Sequence, residues 1–198
     1  MYDLSGNGNN GTLVNGPTYT AGTPSYFTYD GSNDYLTYGS AGAPFGNISY
    51  AFWVYYDSVS GTKTPFAKWS DTGNQRSILH VQDSVYPVWY IDKSGTFGNQ
   101  RNITGTPISA TTWYLIGFSF SNTTGNLRAF INNSLQSTAT FGTSGDPFAS
   151  TSPLENARQG EPSRYMAGRI GEVFVYNSTL SDADLTDIWT NTKTKYGY

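Results

Sequence analysis

Trp113-Tyr114-Leu115-Ile116-Gly117-Phe118-Ser119-Phe120, the polar run Ser121-Asn122-Thr123-Thr124-Gly125-Asn126, and Leu127-Arg128-Ala129-Phe130-Ile131 together decide the fold class. In an extended chain successive side chains point to opposite faces, so Tyr114, Ile116, Phe118 and Phe120 share one face. The Gly-containing polar run between the two apolar segments predicts an antiparallel hairpin. A second hairpin is expected from residues 127–131, through Asn132-Asn133, into residues 135–140. Further runs of the same kind occupy residues 49–56, 77–81, 88–91 and 170–176, each closed by Gly, Pro, Asn or Asp. Short strands at regular spacing with turn signals between them predict an all-β sandwich or barrel.

The chain has 198 residues, which suits one large sandwich, here taken as a single domain over residues 1–198. Five Trp, sixteen Tyr and eleven Phe can fill a wide core, because each aromatic buries about 150–250 Å². One helix is expected, at the C-terminal end. Ser181 is its N-cap, Asp184 completes a weak capping box, and Leu185, Ile188 and Trp189 form its apolar face. Such a helix would close one end of the sandwich. Residues 141–168 and 92–107 read as long irregular loops.

Composition narrows the function. The net charge is −3 and no Lys/Arg run stands out, so no nucleic-acid partner is expected. There is no cysteine, which excludes disulfides and thiolate zinc sites. No apolar stretch approaches the ~20 residues of a membrane span, so no membrane insertion is expected. The start Met1-Tyr2-Asp3-Leu4-Ser5-Gly6 has neither a basic segment nor an apolar run, so no signal peptide is expected.

Four segments, in order, resemble the laminin-G-like, concanavalin-A-like jelly-roll family. They are Asp3-Leu4-Ser5-Gly6-Asn7-Gly8-Asn9-Asn10-Gly11-Thr12-Leu13, and Tyr29-Asp30-Gly31-Ser32-Asn33-Asp34-Tyr35-Leu36. The third is Ser49-Tyr50-Ala51-Phe52-Trp53-Val54, with Trp113-Tyr114 and Ala129-Phe130-Ile131-Asn132-Asn133 as its later partners. The last is Gly168-Arg169-Ile170-Gly171-Glu172-Val173-Phe174-Val175-Tyr176-Asn177. The resemblance implies two antiparallel sheets packed face to face in a jelly roll, with first and last strands adjacent. It also implies glycan or protein binding, often with calcium. The family usually has an acidic residue where Gly171 stands. The tail Lys195-Tyr196-Gly197-Tyr198 resembles that of stand-alone copies in bacteriophage structural proteins.

Catalysis has little to work with. Glucanases of this fold carry a Glu-x-Asp-x-Glu run, which places two carboxylates across the scissile bond. The glutamates here, Glu155, Glu161 and Glu172, stand in no such run. His80 is the single histidine, so any Ser-His-Asp triad must use it, and it sits inside a strand-like segment. No Gly-x-x-x-x-Gly-Lys run offers a nucleotide cradle.

Calcium (Ca2+) has a better candidate. Asp3, Ser5 and Asn7 alternate before Gly8, as in the first half of an Asp-x-Asx-x-Asx-Gly loop. With the first and last strands adjacent, Glu172 would supply a carboxylate from across the sheet. Asp3, Asn7 and Glu172 thus form the candidate metal set, and the same loop also reads as a plain Asx-turn. Trp69, Trp89 and Tyr165, with Arg76 among the polar neighbours, form the candidate ligand-binding set. There ring faces would cover sugar C–H surface while polar groups take the hydroxyls. The expectation is a non-catalytic binding or structural domain on a virion surface. Its partners would be virion proteins, its own copies or extracellular glycans. A cellular carbohydrate-binding module and a cryptic glycosidase are the alternatives.

Overall fold

The computed structural model describes residues 1–39, 46–96, 100–141, 145–160 and 164–198. In chain order the strands are β1 (Thr12–Val14), β2 (Thr18–Thr20), β3 (Tyr26–Asp30), β4 (Tyr35–Thr37), β5 (Ile48–Tyr56), β6 (Thr62–Ser70), β7 (Gln75–Asp83) and β8 (Tyr86–Asp92). They continue with β9 (Gln100–Thr104), β10 (Trp113–Phe120), β11 (Asn126–Ile131), β12 (Ser134–Thr140), β13 (Glu155–Asn156), β14 (Arg158–Gln159), β15 (Arg164–Tyr165) and β16 (Ala167–Tyr176), followed by helix α1 (Asp182–Thr192).

Two seven-stranded antiparallel sheets carry the fold. The front sheet runs β1-β4-β13-β6-β7-β8-β9 and the back sheet β12-β11-β10-β5-β16-β3-β2. The period of two sorts the side chains. In β5, Ile48, Tyr50, Phe52, Val54 and Tyr56 point into the core, where they meet Phe66, Ile78, Trp89 and Ile91 of the front sheet. Ile116, Phe118 and Phe120 join them from β10, as the opening hairpin predicts. The second hairpin, β11–β12, is also present, with Asn132 in the left-handed region at its turn.

The helix begins where expected. The Ser181 hydroxyl accepts from the Asp184 N–H, and the Asp184 carboxylate accepts from the Ser181 N–H. Its position differs from the expectation. Instead of closing an end, α1 lies on the outer face of the back sheet, where Leu185 packs in a second apolar cluster with Ala51, Trp53, Leu115 and Phe130. These odd-numbered β5 neighbours make the back sheet apolar on both sides, and the helix is what covers the second side.

Three further expectations are corrected. The last strand, β16, lies between β3 and β5, whereas β1 pairs with β4 in the other sheet, so first and last strands are not adjacent. The stretch 141–168 is not purely irregular: Glu155–Asn156 inserts as β13 between β4 and β6, and β14 pairs with β15. The stretch 92–107 contains β9, paired with β8.

Candidate functional site

The N-terminal loop is closed on itself. Asp3 Oδ1 accepts from the Ser5 N–H at 2.8 Å and Oδ2 from the Asn9 N–H at 2.9 Å. The Ser5 side-chain hydrogen bond, then the backbone N–H groups of Ser5 and Asn9, hold the Asp3 carboxyl below its usual value. The Asn7 amide donates to Ser5 Oγ at 2.9 Å. Glu172 is turned to the C-terminal tail, where its Oε1 lies 2.5 Å from Lys195 Nζ. Asp3 thus serves one N–H donor on each oxygen, and Glu172 meets the Lys195 ammonium through Oε1. The structure gives Asp3, Asn7 and Glu172 separate partners, and among the described residues no group of three acidic or histidine side chains could hold a metal.

The ligand-binding set divides between two faces. Between the pairs Lys68/Ile78 and Trp69/Arg76 the β6–β7 register shifts, leaving Ser77 as the extra residue. This bulge turns Arg76 to the side of Trp69. Asp71 Oδ1 then accepts from both Trp69 Nε1 at 2.9 Å and Arg76 Nε at 2.8 Å, and the guanidinium stands 5.9 Å from the Trp69 ring. The Trp69 ring packs with Ala67, Leu79, Val81 and Val88, on the side of the front sheet away from the main core, with Tyr90 beside it at 6.2 Å. The β14–β15 hairpin lies against β6 and is tied to it by the Gly160 N–H on the Trp69 carbonyl at 3.1 Å. It carries Arg164 and the half-buried Tyr165. Burial raises the Tyr90 phenol above its usual value, with Asp83 adding to the rise and Arg164 opposing it, which places the hairpin's cation near that ring. Trp69, Arg76 and the Tyr165 hairpin thus share one neighbourhood.

Trp89 does not belong to it. It is fully buried in the main core, 5.0 Å from the His80 ring, and cannot touch a ligand. The residue the sequence reading missed is Tyr90. Alternation along Val88-Trp89-Tyr90-Ile91 puts either Trp89 or Tyr90 outward, and only the inward partner strand decides which.

The two glutamates among the described residues lie on different sheets. Glu155 is on the front sheet beside Arg158, Glu172 is on the back sheet beside Lys195, and Glu161 lies outside the described residues. His80 is fully buried, and neither ring nitrogen has a hydrogen-bond partner, so it has no serine or carboxylate to work with.

Residues 30–186 match the model of the family described as the concanavalin A-like lectin/glucanases superfamily. No curated protein matches the chain by sequence. Among solved structures, the binding domain of Paraclostridial mosquitocidal protein 1 is similar at TM-score 0.76 and 14% identity, over 96% of this chain and 49% of that one. The binding domain of botulinum neurotoxin DC is similar in two complexes. With SialylT the TM-score is 0.73 at 13% identity, over 96% and 48% of the two chains. With rat synaptotagmin II it is 0.75 at 12%, over 96% and 49%. The chain spans about half the length of each of these structures, and identity this low establishes a shared fold. Among the described residues no helix is long and apolar enough to cross a membrane.

Proposed function

The chain belongs to the concanavalin A-like lectin/glucanase superfamily, and from that premise we propose that it is a non-catalytic glycan-binding domain. Its binding surface is the outer side of the front sheet at the half-buried Tyr90 and Tyr165, braced from beneath by Trp69 and Arg76, which are only 5% and 7% exposed. The observation that carries this reading is the shared Asp71 carboxylate. It fixes an indole and a guanidinium in one orientation on a sheet face, with further tyrosines alongside. Rigid ring faces next to fixed polar groups are the mixture that sugar recognition needs. The two similar complexes, one with SialylT and one with a protein, support a binding role in the wider fold. The scattered glutamates and the sealed His80 support the absence of hydrolysis.

A glycan array with wild type, Arg76→Lys and Tyr165→Ala tests the reading. Each variant is expected to lose at least about tenfold in affinity, equivalent to 1.4 kcal/mol, while keeping its far-UV spectrum. Wild-type silence on the array, or binding unchanged in both variants, sinks it. The setting we propose is a virion surface, where many copies would convert weak single sites into avidity. The resemblance of the Lys195–Tyr198 tail to phage structural proteins supports that setting, and the proteome of purified particles tests it.

A further inference from the structure

The back sheet carries a second arrangement that the front-sheet reading leaves unused. Arg169 sits in mid-sheet, opposite Thr28 on one side and Tyr55 on the other, and Tyr55 in turn faces Trp113. Side chains at paired positions share a face, so these four form one row across the outer surface. The Arg169 guanidinium stands 4.3 Å from the Tyr55 ring centre and 5.4 Å from that of Tyr26. The Trp113 ring reaches both tyrosines, at 5.6 Å and 5.7 Å. The guanidinium is therefore held between ring faces and stiffened there.

Among the described residues Arg169 pairs with no carboxylate and donates no hydrogen bond. Three other arginines differ in being matched to acids: Arg76 to Asp71, Arg128 to Asp182 and Arg158 to Glu155. The nearest acid along β16, Glu172, is held by Lys195 and does not neutralise it. Beside the row opens a groove of about 450 Å³ lined mainly by Tyr2, Tyr19, Tyr26 and Phe27, with Gly171 and the Lys195-paired Glu172 at its β16 wall. That volume lies within the ~300–1,000 Å³ range of small-molecule sites.

We propose that Arg169 anchors a second site, for the carboxylate of an acidic sugar. The planar fork matches a carboxylate in bidentate fashion. The sugar ring lies against Tyr26 and Trp113, and its substituents extend into the groove. The ligand class rests on the glycan reading above, but the site does not share a residue with it.

The test is titration of the full chain with methyl glucuronoside, methyl sialoside, methyl glucoside and sodium acetate, followed by tryptophan fluorescence and ligand-observed NMR. At least one acidic sugar is expected to bind, with the neutral glucoside and acetate at least about tenfold weaker. Arg169→Met keeps an apolar stem between the rings and should abolish that preference. Arg169→Lys keeps the charge but not the fork, and should lose about tenfold. Arg76→Lys and Tyr165→Ala weaken the front-sheet site but should leave the preference for the acidic over the neutral sugar intact, which separates failure here from failure of the front-sheet reading. The proposal falls if neither acidic sugar binds, if acetate binds as well as the sugar acids, or if folded Arg169→Met binds them like wild type.

Discussion

His80 and Glu155 are ionisable side chains whose burial works in opposite directions. His80 packs between Phe52 and Trp89, and burial pushes its pKa from 6.5 down to about 3. Burial raises Glu155 from 4.5 to about 7, against the opposing charge of Arg158. Between roughly pH 4.5 and 6.5 the unfolded chain gains a proton on His80 that the native state refuses, while the native state keeps one on Glu155 that the unfolded chain releases, so the two slopes cancel. Below about 4.5 only His80 differs, and stability should fall by about 1.4 kcal/mol per pH unit towards pH 3. Urea unfolding across this range should show a plateau and then an acid limb. His80→Leu should flatten the limb between 4.5 and 3.8, above the range where Asp3, Asp30 and Asp184, each held low by hydrogen bonds, contribute their own loss. Gly171 is explained at the same scale. A Cβ there would stand 2.2 Å from Tyr196 Oη, which accepts the Glu172 N–H at 2.9 Å. Any larger side chain at this position would collide with the tail tyrosine. Gly171→Ala should cost about 1–3 kcal/mol by overpacking, visible as a lower urea midpoint with Tyr196 displaced.

Elements with a long, regular pattern were readable from the sequence, and those held by partners were not. The β10–β11 hairpin follows from alternation over eight residues, and α1 from Ser181, Asp184 and one apolar stripe. Ser181→Ala removes half of the reciprocal cap. It should cost about 1 kcal/mol, or 2–4 °C in the thermal midpoint at this chain length. By contrast β13 is two residues long. No periodicity can appear in two residues, and Glu155-Asn156 is strand only because β4 and β6 offer ladders on both sides. The site divides in the same way. Trp69 and Arg76 were legible as an aromatic and a cation near a turn, but the bulge that joins them was not. Trp89 was misassigned because its facing depends on its register with His80 in β7. Arg169 gave no local signal, since its partners come from three other strands.

At the scale of the whole molecule, alternation and turn spacing were enough to predict two packed sheets. The order of strands within them depends on which distant segments meet, and that is where the expectation of adjacent terminal strands failed. β16 fills the middle of the back sheet, with Arg169 opposite Thr28 and Tyr55. Both chain ends gather on it: Tyr196 and Lys195 meet Glu172, while Met1, Tyr2 and Leu4 line the groove at Gly171 and Glu172. A chain ending at residue 166 should therefore show neither a cooperative melt nor the blue-shifted emission of a buried Trp53. The same placement fixes when the protein can form during its biosynthesis. Until the ribosome has delivered residues 167–176, β3 and β5 have no strand to join them, and the apolar edges of a half-built sheet are exposed to every neighbouring nascent chain. Closing contacts across about 140 residues makes assembly slow as well as late. Its yield in a cell is thus governed by what shields those strands during translation, more than by the stability of the finished fold.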